Sequence, residues 1–112
     1  TGSFTRERAA ALDENDWRKA NPEFFGEALE RNLALADALK PIAAKHNTSM
    51  GTIALAWVLA WPGLTAAIVG ARSPEQVDGW IDAAKFELGV DDLDAIAKAI
   101  ESTGAGSGPT RP

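Results

Sequence analysis

The chain has 112 residues, 46% of them hydrophobic, no cysteine and a formal net charge of −5 at pH 7. Its length allows one domain at most, with a modest core, and its acidic balance argues against nucleic acid or an anionic membrane surface as a partner. No apolar run reaches the ~18 residues of a membrane span, and the lack of cysteine excludes disulfides and thiolate metal sites, in agreement with a reducing, cytoplasmic location.

The first two segments of the chain differ in charge and periodicity. Residues 1–22 are rich in charged side chains around the apolar anchor Trp17, which predicts a surface segment with one short helical turn. From residue 22 or 23 to residue 45 the apolar side chains recur at helical spacing, and Pro41 should kink or locally disrupt that helix. The stripe consists of Leu29, Leu33, Ala36 and Leu39.

A second helix is predicted after the only histidine of the chain. His46 lies at the expected C-terminus of the first long helix, where it is electrostatically favourable, and a single histidine cannot assemble a His-based metal site. Thr48 or Ser49 should cap the next helix, which runs to about Trp61 and stops before Pro62. Because this helix is apolar all round, it should be buried on most sides.

A strand, a glycine turn and a helix start follow one another in the sequence AAIVGARSPEQ. Residues 64–69, and above all 66–69, predict a strand buried on both faces, which Gly70 ends. Ser73 and Gln76 predict a capping box at the start of a third helix. The free backbone N–H groups of such a helix start suit a phosphate, and Arg72 can add a charged fork. The alternative is a purely structural unit in which Arg72 is a solvated cation.

The end of the chain predicts a last helix and a tail. Asp91 and Asp92 favour the first turn of a helix that reaches about residue 100. These carboxylates lack the spacing and glycine of a calcium loop, so they are interpreted as a charge cluster at the helix start. Residues 104–112 are rich in glycine and proline and should form a flexible tail.

The runs ALAWVLAWPGLTAA and IVGARSPEQVDGW resemble the C-terminal quarter of the aldo-keto reductases. The resemblance extends from Thr1-Gly2 to about Ile100. It implies an α/β fold class: a helix-rich C-terminal fragment of a TIM (β/α)8 barrel, with about four helices and one main parallel strand. Residues 1–103 would be that part of the barrel and residues 104–112 the tail.

The same resemblance implies an NADPH site. Gly70, Ala71 and Arg72 match the family's turn around the adenosine 2′-phosphate, and Gln76 matches a polar position one helical turn on. Trp80 stands where the family usually has an Asn that contacts the adenine, so an indole that stacks on the base or simply packs is expected there. Ser3 replaces a common Lys or Arg, which weakens any inference about pyrophosphate contacts.

The catalytic residues of the family are missing from this chain. Aldo-keto reductases use a Tyr as proton donor, with Lys, Asp and His, and this sequence contains no Tyr. The resemblance therefore implies the cofactor-binding portion of an NADPH-dependent reductase of aldehydes or ketones, with no catalytic residues of its own. Its partners would be NADPH, a small carbonyl substrate and either the remaining barrel half or a second copy. The alternative is a non-catalytic helical interaction module or degenerate reductase fragment.

Overall fold

The computed structural model of the chain describes residues 4–112, and the expectations placed on Thr1, Gly2 and Ser3 lie outside them. Five α-helices span that part of the chain. They are α1 (Arg6–Ala10), α2 (Gly26–Lys45), α3 (Met50–Leu59), α4 (Pro74–Asp78) and α5 (Val90–Thr103). Three 3₁₀ segments cover Trp17–Ala20, Pro22–Phe24 and Ile81–Lys85.

The long helix α2 is the centre of the fold, because both α3 and α5 pack against it. The buried core between these helices consists of Ile42, Ala43, Ile53 and Ile96, and of the predicted apolar stripe Leu39 packs against it. Leu29, Leu33 and Ala36 instead line a cavity with Phe4 and Phe24 of the N-terminal segment. Pro41 lies inside α2, which nevertheless continues as one helix to Lys45. The helix ends where the His46 N–H donates to the carbonyl of Ile42 at 3.2 Å.

The start of α3 follows the local chemistry of its sequence. Ser49 is the N-cap, since the Thr52 N–H donates to Ser49 Oγ at 3.0 Å, and one of the two predicted caps is thereby confirmed. One face of α3 is buried through Ile53, which is completely inaccessible to solvent. The rest of the helix is less well covered, since Ala54 is exposed and Leu55, Val58 and Leu59 are only half-buried. The expected burial on most sides is therefore only partly met.

The predicted α/β fold is wrong for this structure. No β-strand occurs within residues 4–112, and residues 64–71 form an extended segment without a backbone ladder. The physical reason is that a strand exists only as part of a sheet, and no second extended segment lies beside this one to accept its backbone hydrogen bonds. Ile68, at the centre of the predicted strand, is fully exposed instead of buried. The expectation of a barrel piece with one main parallel strand is thus replaced by an all-helical arrangement.

The segment after α5 turns back along that helix. Gly104 adopts the left-handed conformation at φ +65° and its N–H donates to the carbonyl of Ile100 at 2.9 Å, as a glycine at a helix end commonly does. Ala105 is buried. Arg111 Nε donates to Asp94 Oδ1 at 2.7 Å, and the Thr110 hydroxyl donates to Glu101 at 3.1 Å. The predicted mobility of residues 104–112 stays a prediction. The contacts of Thr110 and Arg111 with α5 are what a measurement of that mobility would probe.

Two further structural observations concern membrane-spanning helices and metal sites. Within the described chain, none of the helices combines the length and the apolar character that crossing a bilayer requires. Residues 4–112 also contain no group of three or more His, Cys, Asp or Glu side chains arranged to hold a metal ion.

Candidate functional site

The turn that precedes α4 and the first turn of that helix contain four of the five predicted site residues. Gly70, Ala71 and Arg72 lie between the extended segment and the helix, Gln76 lies in the first turn of α4, and all four are exposed. A Cβ added to Gly70 would meet no atom within 4 Å, so the space beside the turn is open. Helix α4 has only five residues. Its dipole is therefore small, and an anion at this turn would depend mainly on side chains.

The predicted capping box between Ser73 and Gln76 is wrong. The Ser73 side chain makes no cap bond to the helix. Its hydroxyl instead bonds to the Glu75 carboxylate, which is the main cause that lowers the pKa of Glu75. The Gln76 Oε1 accepts a hydrogen bond from the Arg72 N–H at 2.9 Å, one residue before the expected N-cap. The Gln76 N–H donates to the Ser73 carbonyl at 3.2 Å, which closes the turn from the other side.

The Arg72 guanidinium is exposed and makes no hydrogen bond or ion pair within residues 4–112. It nevertheless lies near a carboxylate of the N-terminal segment, Asp16. Hydrogen bonds from the Arg18 side chain and backbone N–H are the largest causes that lower the pKa of Asp16, and the charge of Arg72 adds a smaller contribution in the same direction. The N-terminal segment therefore places a carboxylate, paired with Arg18, within electrostatic range of Arg72.

The pair of Asp16 and Arg18 was not anticipated from the sequence as part of the site. Arg18 Nε donates to Asp16 Oδ1 at 2.8 Å, and the guanidinium carbon of Arg18 lies 5.5 Å from the ring centre of Phe4. Both partners of the ion pair have side chains only 18% exposed. The sequence signal was weak, because residues 1–22 contain many charges and nothing local distinguishes these two.

Trp80 lies apart from the charged turn. It is half-buried and lines an apolar cavity of about 400 Å³ between α3 and the extended segment. The wall of this cavity includes Leu55, Leu59, Leu64, Val69 and Ile81, and none of its lining residues is charged. The Ser49 hydroxyl donates to the carbonyl of the neighbouring Gly79 at 2.6 Å, which ties this region to the start of α3. The predicted contact of Trp80 with an adenine stays a prediction.

A second cluster of titratable side chains joins the end of α2 to the start of α5. The side chain of Asp92 is 6% exposed; its Oδ1 accepts from Lys45 Nζ at 2.8 Å and its Oδ2 lies 2.7 Å from His46 Nε2. The hydrogen bond from Lys45 is the largest cause that lowers the pKa of this carboxyl group; burial opposes it, and His46 adds to it. On sequence alone Asp92 is interpreted as part of a charge cluster at the helix start, and its burial is not predicted, although its spacing of four residues from Ile96 places it on the apolar face.

Comparison with known proteins agrees with the resemblance seen in the sequence. Residues 1–101 match the model of the aldo/keto reductase family. The chain is 38% identical over 76% of its length to an uncharacterized oxidoreductase of Mycobacterium tuberculosis, and covers 26% of that protein. It is 29% identical over 82% of its length to an aldo-keto reductase of Strobilurus tenacellus, and covers 27% of it. It is 28% identical over 90% of its length to an Escherichia coli NADH-specific methylglyoxal reductase, and covers 31% of it.

These matches show that the chain is related to oxidoreductases. It belongs to the aldo/keto reductase family. The chain spans about a quarter to a third of the length of the curated relatives that it matches.

Proposed function

We propose that this chain is the cofactor-binding portion of an NADPH-dependent aldo-keto reductase that acts on aldehydes or ketones, and that it holds the adenosine 2′-phosphate. The observation that carries the proposal is the exposed guanidinium of Arg72, in a turn held by Gln76 and open beside Gly70. A guanidinium presents several N–H donors in a planar fork that fits phosphate oxygens. Membership of the aldo/keto reductase family supports a dinucleotide as the anion.

The contribution of these residues to the reaction is binding and orientation. In this chemistry the nicotinamide supplies a hydride to the carbonyl carbon of the substrate. The developing alkoxide needs a proton donor. The chain has no Tyr, and its single His lies 2.7 Å from Asp92 in the cluster between α2 and α5. We therefore assign no catalytic residue to this chain and place the carbonyl substrate elsewhere in the complete enzyme.

The choice of NADPH over NADH depends on one charge contact. The Escherichia coli relative is NADH-specific by name, so the family alone does not decide the cofactor. NADPH differs from NADH by the 2′-phosphate, and a charged hydrogen bond to that group contributes about 1.5–3 kcal/mol. The presence of Arg72 at the family's phosphate turn favours NADPH.

Replacing Arg72 tests this assignment. Arg72→Ala should weaken NADPH binding by about 10- to 100-fold, because the charged partner of the phosphate is lost, and should leave NADH binding almost unchanged. Fluorescence titration of the tryptophans measures both affinities. Arg31→Ala, which removes an equally charged side chain from α2, is the matched control and should change neither. Equal losses for both cofactors in the Arg72 variant would refute the phosphate contact.

A second candidate is a non-catalytic interaction module. Its support is the apolar surface that residues 4–112 leave open, where Leu64 and Ile81 are both exposed beside the cavity. The partner would be the remaining part of a larger reductase or a second copy of the chain. Such a module would bind NADPH and NADH equally weakly.

A cytoplasmic location is proposed for either candidate, and fluorescence microscopy of the tagged protein in cells would test it.

A further inference from the structure

The extended segment of residues 65–71 has unpaired backbone groups along both of its edges. Within the described part of the chain, none of its backbone N–H or C=O groups makes a hydrogen bond. Its side chains alternate in exposure: Ala67 and Val69 are half-buried and line the apolar cavity beside α3, while Ala66 and Ile68 are exposed. A β-strand shows the same alternation. The segment therefore has the form of a strand and lacks only a neighbour.

Only a second extended segment can satisfy these backbone groups along the whole edge. The N–H and C=O groups inside a helix are already bonded to each other, so a helix cannot pair with a strand edge. Among residues 4–112 no second segment lies beside this one. A second copy of the chain always brings an identical extended segment with the same unpaired groups, and can therefore pair with it.

The distribution of charge favours a second copy at this surface. The chain has a net charge of −5, so two copies repel each other over most of their surface. Residues 47–71, however, contain no Asp, Glu, Lys or Arg, and none of the residues that line the cavity is charged. Two copies can meet along this segment without contact between like charges and without burial of an unpaired charge.

We propose that two copies of the chain pair through this segment as an antiparallel two-stranded ladder, with Ile68 of one copy opposite Ile68 of the other. Two-fold symmetry requires that opposed side chains lie on the same face of the ladder. With Ile68 at the axis, the fully exposed Ile68 side chains cover each other, and Ala66 of one copy lies opposite Gly70 of the other. An axis at Ala66 would instead bring Pro62, which has no N–H, into the ladder.

This inference goes beyond the proposed cofactor role, because the pairing requires no nucleotide. It names the partner of an exposed surface and the register in which that partner binds. Loss of the phosphate contact at Arg72 would leave the ladder unaffected, since its central residues 66–70 carry no charge.

The first test is cross-linking, which is specific because the chain has no cysteine of its own. In Ile68→Cys the two thiols would be opposed, with Cβ atoms about 4.5–5.5 Å apart. In a glutathione redox buffer they should form a disulfide-linked dimer about tenfold faster than those of the control Val90→Cys, another exposed site. A rate no faster than that of the control would overturn the proposal.

A mixing experiment tests the register. In the ladder, the thiols of two Ala66→Cys chains lie about 13 Å apart, as do those of two Gly70→Cys chains, so each variant alone should cross-link as slowly as the control. Gly70 has open space for a Cβ. A mixture of the two variants should form the mixed dimer as fast as Ile68→Cys forms its own dimer. Fast cross-linking of Ala66→Cys alone would overturn the antiparallel register.

The second test uses the unchanged chain. In an antiparallel pair every second residue bonds to the neighbouring strand. As the concentration rises from about 20 to 500 µM, every second amide of residues 65–71 should exchange about three- to tenfold more slowly by NMR, and the amides between them should not change. Association through helix surfaces alone would slow none of these amides and would overturn the ladder. A chain that stays monomeric at the highest concentration would overturn it as well.

Discussion

At the scale of single residues, the environment of Arg72 contains both a fixing contact and an opposing charge. Gln76 holds its backbone at 2.9 Å. Asp16 lies close enough for the two charges to interact, and hydrogen bonds from Arg18 lower the pKa of its carboxyl group. A phosphate that approaches Arg72 therefore also meets the carboxylate of Asp16, which is paired with Arg18. The N-terminal segment should weaken the binding of anions at this turn.

Removing the charge of Asp16 tests this effect. Asp16→Asn should strengthen 2′,5′-ADP binding about two- to fivefold at low salt, because a like charge is removed near the phosphate and Arg18 is released from its ion pair. The gain should shrink in 0.5 M salt, where exposed charges are screened within a few ångströms. Isothermal titration at two salt concentrations measures this. Glu14→Gln, an exposed change in the same segment, is the control, and weaker binding in Asp16→Asn would contradict the argument.

At the scale of elements, local sequence patterns predicted the long helices correctly. They failed where the structure of a segment depends on contacts with a distant part of the chain. The spacing of Leu29, Leu33 and Ala36 predicted α2, and Ser49 capped α3 as expected, because helical hydrogen bonds and caps lie within a few residues. The predicted strand at residues 64–69 failed because a strand needs a neighbour that the sequence pattern cannot supply. For the site, the sequence predicted a helix that begins at Pro74, which is confirmed. The cofactor role of the turn residues stays a prediction, and the proximity of Asp16 to Arg72 was not predictable from spacing.

The cluster around Asp92 is the main polar contact between two elements of the core. It joins the C-terminus of α2, where cations are favourable, to the N-terminus of α5, where a carboxylate is favourable. The side chain of Asp92 is buried and hydrogen-bonded at both oxygens. If it were removed, water could not replace its hydrogen bonds to Lys45 and His46 without a rearrangement of the structure. We infer that this cluster fixes the position of α5 on α2.

A change of Asp92 should therefore show a stability effect that depends on pH. Asp92→Asn should lower the free energy of unfolding by about 1.5–3 kcal/mol at pH 7, the value of hydrogen bonds to charged groups. The folded pKa of this carboxyl group lies below its unfolded value of about 3.9, so the stabilisation is complete above that pH and is lost as the pH falls through the folded pKa. Urea unfolding at pH 7 and pH 3 measures the difference, which should be smaller at pH 3.

The exposed neighbour of this residue provides the control. Asp91→Asn lies in the same first turn of α5 and should change the stability by less than about 0.5 kcal/mol, as exposed substitutions usually do. A difference between wild type and Asp92→Asn that stays the same from pH 7 to pH 3 would show that the contribution of Asp92 is not that of an ionised carboxylate.

At the scale of the whole molecule, the helices described do not cover all the apolar surface. Ile68 is fully exposed between Ala67 and Val69, which line the open apolar cavity beside α3, and Ile81, which also lines it, is 52% exposed. Each apolar side chain left in water forgoes about 1.5–3 kcal/mol of hydrophobic stabilisation. The extended segment next to them also has backbone N–H and C=O groups without protein partners among residues 4–112. Exposed apolar patches combined with free extended backbone commonly mark surfaces of association.

We therefore expect the 112-residue chain to associate with itself in solution when no other part of a reductase is present. Light scattering coupled to size-exclusion chromatography should show a mass that rises with concentration from about 1 to 100 µM, the range expected of modest interfaces. Ile68→Lys combined with Ile81→Lys should shift the distribution toward the monomer, because charged side chains resist burial at such a contact. Val90→Lys, at a residue that is 65% exposed but does not line the cavity, should leave it unchanged. A monomer at every concentration, with a sharp and concentration-independent unfolding transition, would show that the chain is stable with this surface in water.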